Sequence, residues 1–404
     1  MRLLNTKTCT LREFFGENIP PYAILSHRWE EEEVTFQDLN EGRKRILKGY
    51  SKILGLCIQA EKDSLNWAWI DTCCIDKSSS AELTEAINSM FKWYRNAYVC
   101  YAYLSDVSSG MGEVHETEGN HSFNSSQWFK RGWTLQELLA PKTARFYDTA
   151  WKFLGTRETL QPILSKITGV NDFEGFKNAS IAQKMCWMAD RKTTRIEDIA
   201  YCMLGLFDVY MPLLYGEGEK AFYRLQLELL RTLEDDSLLA WSFNDKDEKT
   251  RSAEVYATMR PFAPSPACFR LSGDTVPFHF DEGRPPLTMT PKGILVKGVL
   301  RKQLSDKLDT DYTHWVALNC WKSGSKEPVN IGLRRVKLDE FERVLEVGGC
   351  SLDPEALASF LLVFETIFYA TSKLFSPRST KKFTLDHDGD HGDHDAVRAD
   401  FYIR

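Results

Sequence analysis

Several absences narrow the field before any motif is considered. The 404-residue chain has no apolar run of about 18 residues, the minimum for a membrane-spanning helix. The nearest approach, "SFLLVFETIFYA" at 359–370, is short and carries Glu365. The first residues, "MRLLNTKTCTLREFF", lack the long apolar stretch of a secretory signal. A soluble, cytoplasmic protein with reduced thiols is therefore expected from its ten cysteines. Those cysteines lack metal spacing: Cys73-Cys74 is not CxxC, and no second pair stands at zinc-like distance. Phosphate-loop signatures are missing too. "YGEGEKAF" (215–222) is glycine-rich before a helix but has neither GK[ST] nor GxGxxG, and reads as a turn. The net charge of −6 excludes bulk attraction to nucleic acid or an anionic membrane. No internal repeat is present.

What remains is ordinary globular composition, 43% hydrophobic and 27% charged, with 11 Trp and 24 Phe to fill large cores. The length suits two or three domains. Residues 1–150 alternate strand and helix. Apolar strands are expected at 22–27, 66–71, 97–104 and 144–148, with helices over 42–63 and 78–97 and a short one at 133–140. Ser79 with Glu82, and Thr194 with Glu197, have capping-box spacing. Such alternation predicts an α/β fold with a parallel sheet. Residues 151–236 read as a helical extension. From 245 to 404, short β-forming runs such as "ILVKGVL" and "HWVALNCW" predict a β-rich domain, with a linker near 235–250.

In an open α/β sheet, ligands bind beyond the carboxyl ends of the strands. Unusual polar residues gather there. The first strand is followed by Ser26, His27, Arg28 and Trp29, and the second by Asp71, Cys74, Asp76 and Lys77. Ser105-Asp106 follow the third, and then "FKRGWTLQELLAP" (129–141) brings Trp133 and Glu137. Around one crevice, these groups would supply carboxylates, an imidazole, positive charges and aromatic faces. Such a set suits a charged, ring-containing small molecule, a nucleotide above all. Plainer roles compete: tryptophans as core, Asp71 or Asp76 as helix caps, His27 as a structural histidine, Glu137 as a surface acid. Cys74 with His27 as a nucleophilic pair is a further alternative. "EEEE" (30–33) reads as a solvated loop. "DHDGDHGDHD" (386–395) begins like a calcium loop but has His391 where glycine is required and Val397 where glutamate is, so it too reads as solvated.

Four stretches resemble a known family. "PPYAILSHRWEEEEVTFQDL", "WAWIDTCCIDKSSSAELTEAINSMFKWYRNAYVCYAYLSDV", "WFKRGWTLQELLAP" and "RKTTRIEDIAYCMLGLFDVYMPLLYGEGEKAFYRLQ" are similar, in order over about residues 1–235, to fungal heterokaryon-incompatibility (HET) domains. That resemblance implies an effector of programmed cell death, set off when genetically different hyphae fuse. It also implies an upstream non-self sensor and self-association on activation. Arg28 departs from the family, which more often has Thr between His and Trp. "YAILSHRW" and "RGWTLQELL" further resemble TIR domains, whose NAD-cleaving members carry their catalytic glutamate in the second stretch. The resemblance places that glutamate on Glu137 and the tryptophan before it on Trp133. It implies a TIR-like, flavodoxin-like parallel sheet with helices on both faces, and NAD glycohydrolase chemistry with NAD as substrate rather than cofactor. Nicotinamide leaves a pyridinium as a neutral molecule, so one carboxylate stabilising an oxocarbenium-like state would suffice. Arg28 or Lys77 would pair with the pyrophosphate. A non-enzymatic module that signals by assembly is the competing expectation.

Overall fold

Short runs of apolar and aromatic residues become buried strands in the computed structural model, which describes residues 1–42, 46–108, 121–242, 261–278, 285–302, 314–324, 327–335, 340–343 and 396–403. The strands of the first half are β1 (Arg2–Asn5), β2 (Leu11–Glu13), β3 (Ala23–His27), β4 (Trp67–Trp69), β5 (Val99–Tyr103), β6 (Ala144–Tyr147) and β7 (Phe153–Thr156). The helices are α1 (Phe36–Asn40), α2 (Tyr50–Lys62), α3 (Ser80–Asn96), α4 (His121–Asn124), α5 (Thr134–Leu139), α6 (Gln161–Thr168), α7 (Ile181–Met188), α8 (Asp198–Tyr201), α9 (Leu204–Phe207) and α10 (Lys220–Thr232). Every residue of β3 and β5 is buried. The helix expected from residue 42 begins only at Tyr50.

The first seven strands form one sheet in the order β2-β1-β4-β3-β5-β6-β7. Its centre, β4-β3-β5-β6, is parallel. Antiparallel β1 and β2 flank it on one side and antiparallel β7 on the other, so the sheet is mixed rather than all parallel. Taken along the chain, the parallel strands lie second-first-third-fourth. Adjacent residues of a strand point to opposite faces, and β5 displays both. The Cys100 thiol donates to the Glu137 carbonyl of α5, while the Tyr101 hydroxyl donates to the Gln59 carbonyl of α2. Helices therefore cover the two faces. On the first, Tyr94 of α3 also donates to the Leu25 carbonyl of β3.

Helical residues 161–232 are tied to the segment that precedes α5. The Gly132 amide donates to the Lys192 carbonyl, and the Lys192 amide to the Lys130 carbonyl. Arg191 donates to the Arg131 carbonyl and to Thr134. Gly205 of α9 lies directly on Phe91 of α3; a Cβ there would stand 2.1 Å from the Phe91 Cβ. Thr194 and Glu197 do not form the expected capping box. Glu197 directly precedes α8 with helical backbone angles, and its carboxylate accepts the amides of Gly216 and Gly218 in the turn before α10. Both glycines have positive φ, 103° and 62°, so only glycine holds that turn without strain.

A second sheet contains β8 (Thr275–Pro277), β9 (Thr288–Thr290), β10 (Gly293–Lys302), β11 (His314–Lys322), β12 (Glu327–Arg335), β13 (Glu340–Arg343) and β14 (Ala396–Ile403). Its order is β8-β11-β12-β13-β14-β10-β9, with β11 also paired to β10. β10 through β14 thus close a ring of five strands, antiparallel except where β13 meets β14. Residues 236–242, placed in a linker by composition, are packed: Ser237 and Leu238 are fully buried, and the Asp236 carboxylate accepts the Asn319 amide of β11. The stretches 243–250, 359–370 and 386–395, and residues 109–120 of the polar loop after β5, lie outside the described residues. Among the described residues, no helix is long and apolar enough to cross a membrane.

Candidate functional site

At the carboxyl ends of β3 and β4 the structure opens a cleft of about 240 Å³ between the sheet, α3, α5 and the helical extension. Six of the ten residues singled out by sequence line it: His27, Trp29, Asp71, Lys77, Trp133 and Glu137. Four do not. Ser26 is fully buried behind the cleft, where its hydroxyl serves Glu137. Arg28 is not among the lining residues; its backbone carbonyl accepts the Lys52 ammonium. Asp76 folds back on its own loop, accepting from Ser78 and from Gln37 of α1. Cys74 is 3% exposed and takes no part in the lining, so it is not presented to a substrate beside His27.

Asp71 is the hub of one wall. Its Oδ1 lies 3.1 Å from His27 Nε2, its Oδ2 accepts the Trp29 indole at 2.7 Å, and the Lys77 ammonium stands 4.0 Å away. Lys77 sits 3.3 Å above the Trp29 ring, which is 38% exposed. Burial alone would raise the Asp71 carboxyl. The Lys77 charge and the hydrogen bonds from His27 and Trp29 overcome it and hold the group well below the ordinary carboxylate range. Burial in turn lowers the Lys77 ammonium, against the pull of Asp71. The other ring nitrogen of His27, Nδ1, is buried and has no protein partner among the described residues.

Glu137 behaves in the opposite way. Short as α5 is, all six of its residues are buried, Glu137 at 8% exposure, so it is not the partly exposed acid that amphipathic spacing implies. Its Oε2 accepts the Ser26 hydroxyl at 2.5 Å. Burial dominates and raises its carboxyl from 4.5 to about 8; Ser26 and the Arg131 charge oppose this, and the Asp71 charge adds to it. One cleft therefore holds a carboxylate kept ionised and a carboxyl kept neutral at pH 7. Divergent environments of this kind distinguish acid–base roles in carboxylate sites.

The opposite wall comes from residues that sequence reasoning did not single out. Arg131, Thr194, Arg195, Asp198 and Tyr215 line it, with Ile75, Leu83, Ile87 and Met90 as an apolar floor. Tyr215 donates to Asp198 at 2.9 Å. The Arg195 guanidinium lies 4.4 Å over the Tyr215 ring. Neither Arg131 nor Arg195 is in a salt bridge among the described residues. The signal for Arg131 was at hand, a basic residue two positions before Trp133. Arg195, Asp198 and Tyr215 lie some 60 residues or more beyond Glu137, and only folding brings them near.

Residues 22–119 match the family model of the heterokaryon incompatibility protein (HET). The chain is also similar to the vegetative incompatibility protein HET-E-1 of Podospora anserina, 46% identical over 234 residues. The match covers 55% of this chain and 17% of that protein, so the chain spans less than a fifth of its curated relative's length. No solved structure matches the chain.

Proposed function

We propose that the protein acts in fungal non-self recognition as a HET-domain effector, and that its cleft cleaves the N-glycosidic bond of NAD⁺ or a related nucleotide, with Glu137 as the catalytic carboxylate. The role in incompatibility rests on the HET match and on the relative's name. The chemistry rests on one observation above all: Glu137 and Asp71 share a cleft and are held in opposite charge states. The strand order adds support. Second-first-third-fourth is the order of flavodoxin-like sheets, TIR domains included, whose ligands sit where the connections diverge between the first and third strands. Here that point lies between β3 and β5, beside His27 and Trp29.

In this reading Trp29, Trp133 and Tyr215 offer ring faces to a base or to nicotinamide, and Arg131 and Arg195 receive the phosphates. A bound pyridinium brings positive charge close to Glu137. That charge favours the ionised carboxyl, which gives its proton to solvent as the cation enters. The carboxylate then faces the positive charge that develops on the ribose as neutral nicotinamide departs. Release of nicotinamide from NAD⁺ by the purified chain, measured over a range of protein concentrations and from pH 6 to 9.5, tests the proposal. kcat/KM should rise with pH through about 8 and then level off. Glu137→Gln should lower it at least ~10²-fold, about 2.7 kcal/mol of transition-state stabilisation. Full activity in a folded Glu137→Gln protein removes the assignment. No release at any concentration favours the reading as an assembly module.

A further inference from the structure

One hydrogen-bonded row in the cleft has its directions fixed from one end. The Trp29 indole is a donor only, and it donates to Asp71 Oδ2 at 2.7 Å. The other oxygen of that carboxyl, Oδ1, lies 3.1 Å from His27 Nε2. With the Lys77 ammonium 4.0 Å from Oδ2, Asp71 is held ionised. An ionised carboxylate only accepts, so the proton of a neutral His27 ring must stand on Nε2. Nδ1 is then a bare lone pair. His27 lines the cleft, yet it is 5% exposed and its Nδ1 has no protein partner among the described residues. A buried acceptor in that state costs free energy that a donor brought by a ligand would recover. The cations of the cleft, Lys77, Arg131 and Arg195, carry donors only and take up no proton.

We propose that His27 Nδ1 accepts the proton of the water that captures the ribosyl cation, and that Asp71 is the residue that positions the ring and fixes its tautomer. This rests on the reading of the cleft as a nucleotide-cleaving site, and adds to Glu137 the group that the second half of the reaction needs. As the bond between ribose and nitrogen breaks, its electron pair leaves with neutral nicotinamide, and Glu137 faces the positive carbon. A lone pair of water forms the new carbon–oxygen bond, and the proton lost from that oxygen passes to Nδ1. The ring is then a cation against the Asp71 carboxylate, and it returns the proton to solvent. His27 follows Ser26 on β3, and Ser26 donates to Glu137 Oε2, so one strand end supports both groups.

Nitrogen NMR of the full-length protein, labelled in its histidine rings, locates the proton without any turnover. The His27 signals are those missing from His27→Gln among the chain's eight histidines. The native neutral ring should carry its proton on Nε2, favoured at least ~10-fold, the strength of a hydrogen bond to a charged group. Asp71→Asn should reverse that preference. The Trp29 indole keeps the amide oxygen as its acceptor, which turns the amide N–H₂ toward Nε2 and drives the ring proton to Nδ1. ADP-ribose, whose anomeric hydroxyl holds the oxygen that water brought in, should move the native Nδ1 signal in the direction of an accepted hydrogen bond. A native proton on Nδ1, an unreversed ring in Asp71→Asn, or an Nδ1 signal that ADP-ribose leaves in place overturns the proposal. If Asp71→Asn does not fold, the native ring and its response to ADP-ribose decide. Nicotinamide release is read separately. Release with Nδ1 protonated or unmoved means cleavage without this base, whereas no release at all strikes the reading beneath it.

Discussion

Replacing Glu137 by Gln should stabilise the protein in alkali, a direction contrary to the usual cost of altering a buried polar residue. The group's folded value, about 8, lies above its ordinary 4.5. Between those limits the folded state holds a proton that the unfolded chain has released, so folding stability falls as pH rises. The neutral-acid contribution is fully present below pH 4.5 and gone above about 8. Integrated over the window, the native protein loses up to ~5 kcal/mol. A glutamine does not titrate, and its amide oxygen can still accept from Ser26. Urea unfolding of both proteins at pH 5, 7 and 9 reads the difference directly. The gap should move in favour of Glu137→Gln by ~4 kcal/mol between pH 5 and pH 9, and most of that movement should come before pH 8. Parallel curves would mean that Glu137 is ionised like a surface acid, and the account of the site would fail with them.

Three further outcomes follow from the geometry. Asp71→Asn should cost ~1–3 kcal/mol at pH 7 by leaving Lys77 and the His27 and Trp29 donors without their anion. Because a depressed carboxyl stabilises above its ordinary 3.8 and stops doing so as pH falls, the two proteins should converge in acid, and a constant gap down to pH 2 refutes this. Arg131→Gln and Arg195→Gln should each raise KM for NAD⁺ roughly tenfold while kcat changes little, since they hold phosphates rather than the reacting ribose; an effect on kcat alone contradicts that division. Gly205→Ala should lower stability by ~1–3 kcal/mol, because its new methyl meets the Phe91 Cβ and α9 must lift from α3; an unchanged melting temperature shows that the contact yields without cost.

The central strands were legible because they are buried on both faces and so appear as unbroken apolar runs. "YAILSH", "AYVCYAYL" and "ARFYD" became β3, β5 and β6 with ends shifted by a residue or two. β1 and β2 were not. Leu11-Arg12-Glu13 has no strand pattern of its own, and its extended form is set by pairing with β1. The near wall of the cleft could be read from strand ends, which is why His27, Trp29, Asp71 and Lys77 were within reach. Glu137 was found, but its surroundings were misjudged. Helical periodicity assumes one wet face, and α5 has none, being enclosed by β3, α3 and the segment that carries Arg191. Asp198 and Tyr215 gave no local signal at all, since their place in the site depends on how one packed segment docks on another.

The five-stranded ring has a consequence in time. Its closing strand, β14, pairs with β10 across a sequence separation near 100 residues, Ile294 with Ile403 and Arg301 with Ala396. By contrast, every strand of the cleft-bearing sheet is complete by Thr156, and the helices that wall the cleft are complete by Thr232. As the chain leaves the ribosome, the cleft can therefore assemble well before the ring can shut. Until residue 403 emerges, β10 and β13 each present an edge with unpaired amides and carbonyls, ready to pair with another chain. The vulnerable interval in the synthesis of this protein lies between the emergence of β13 and that of β14, when the cleft can stand finished while the ring is still open.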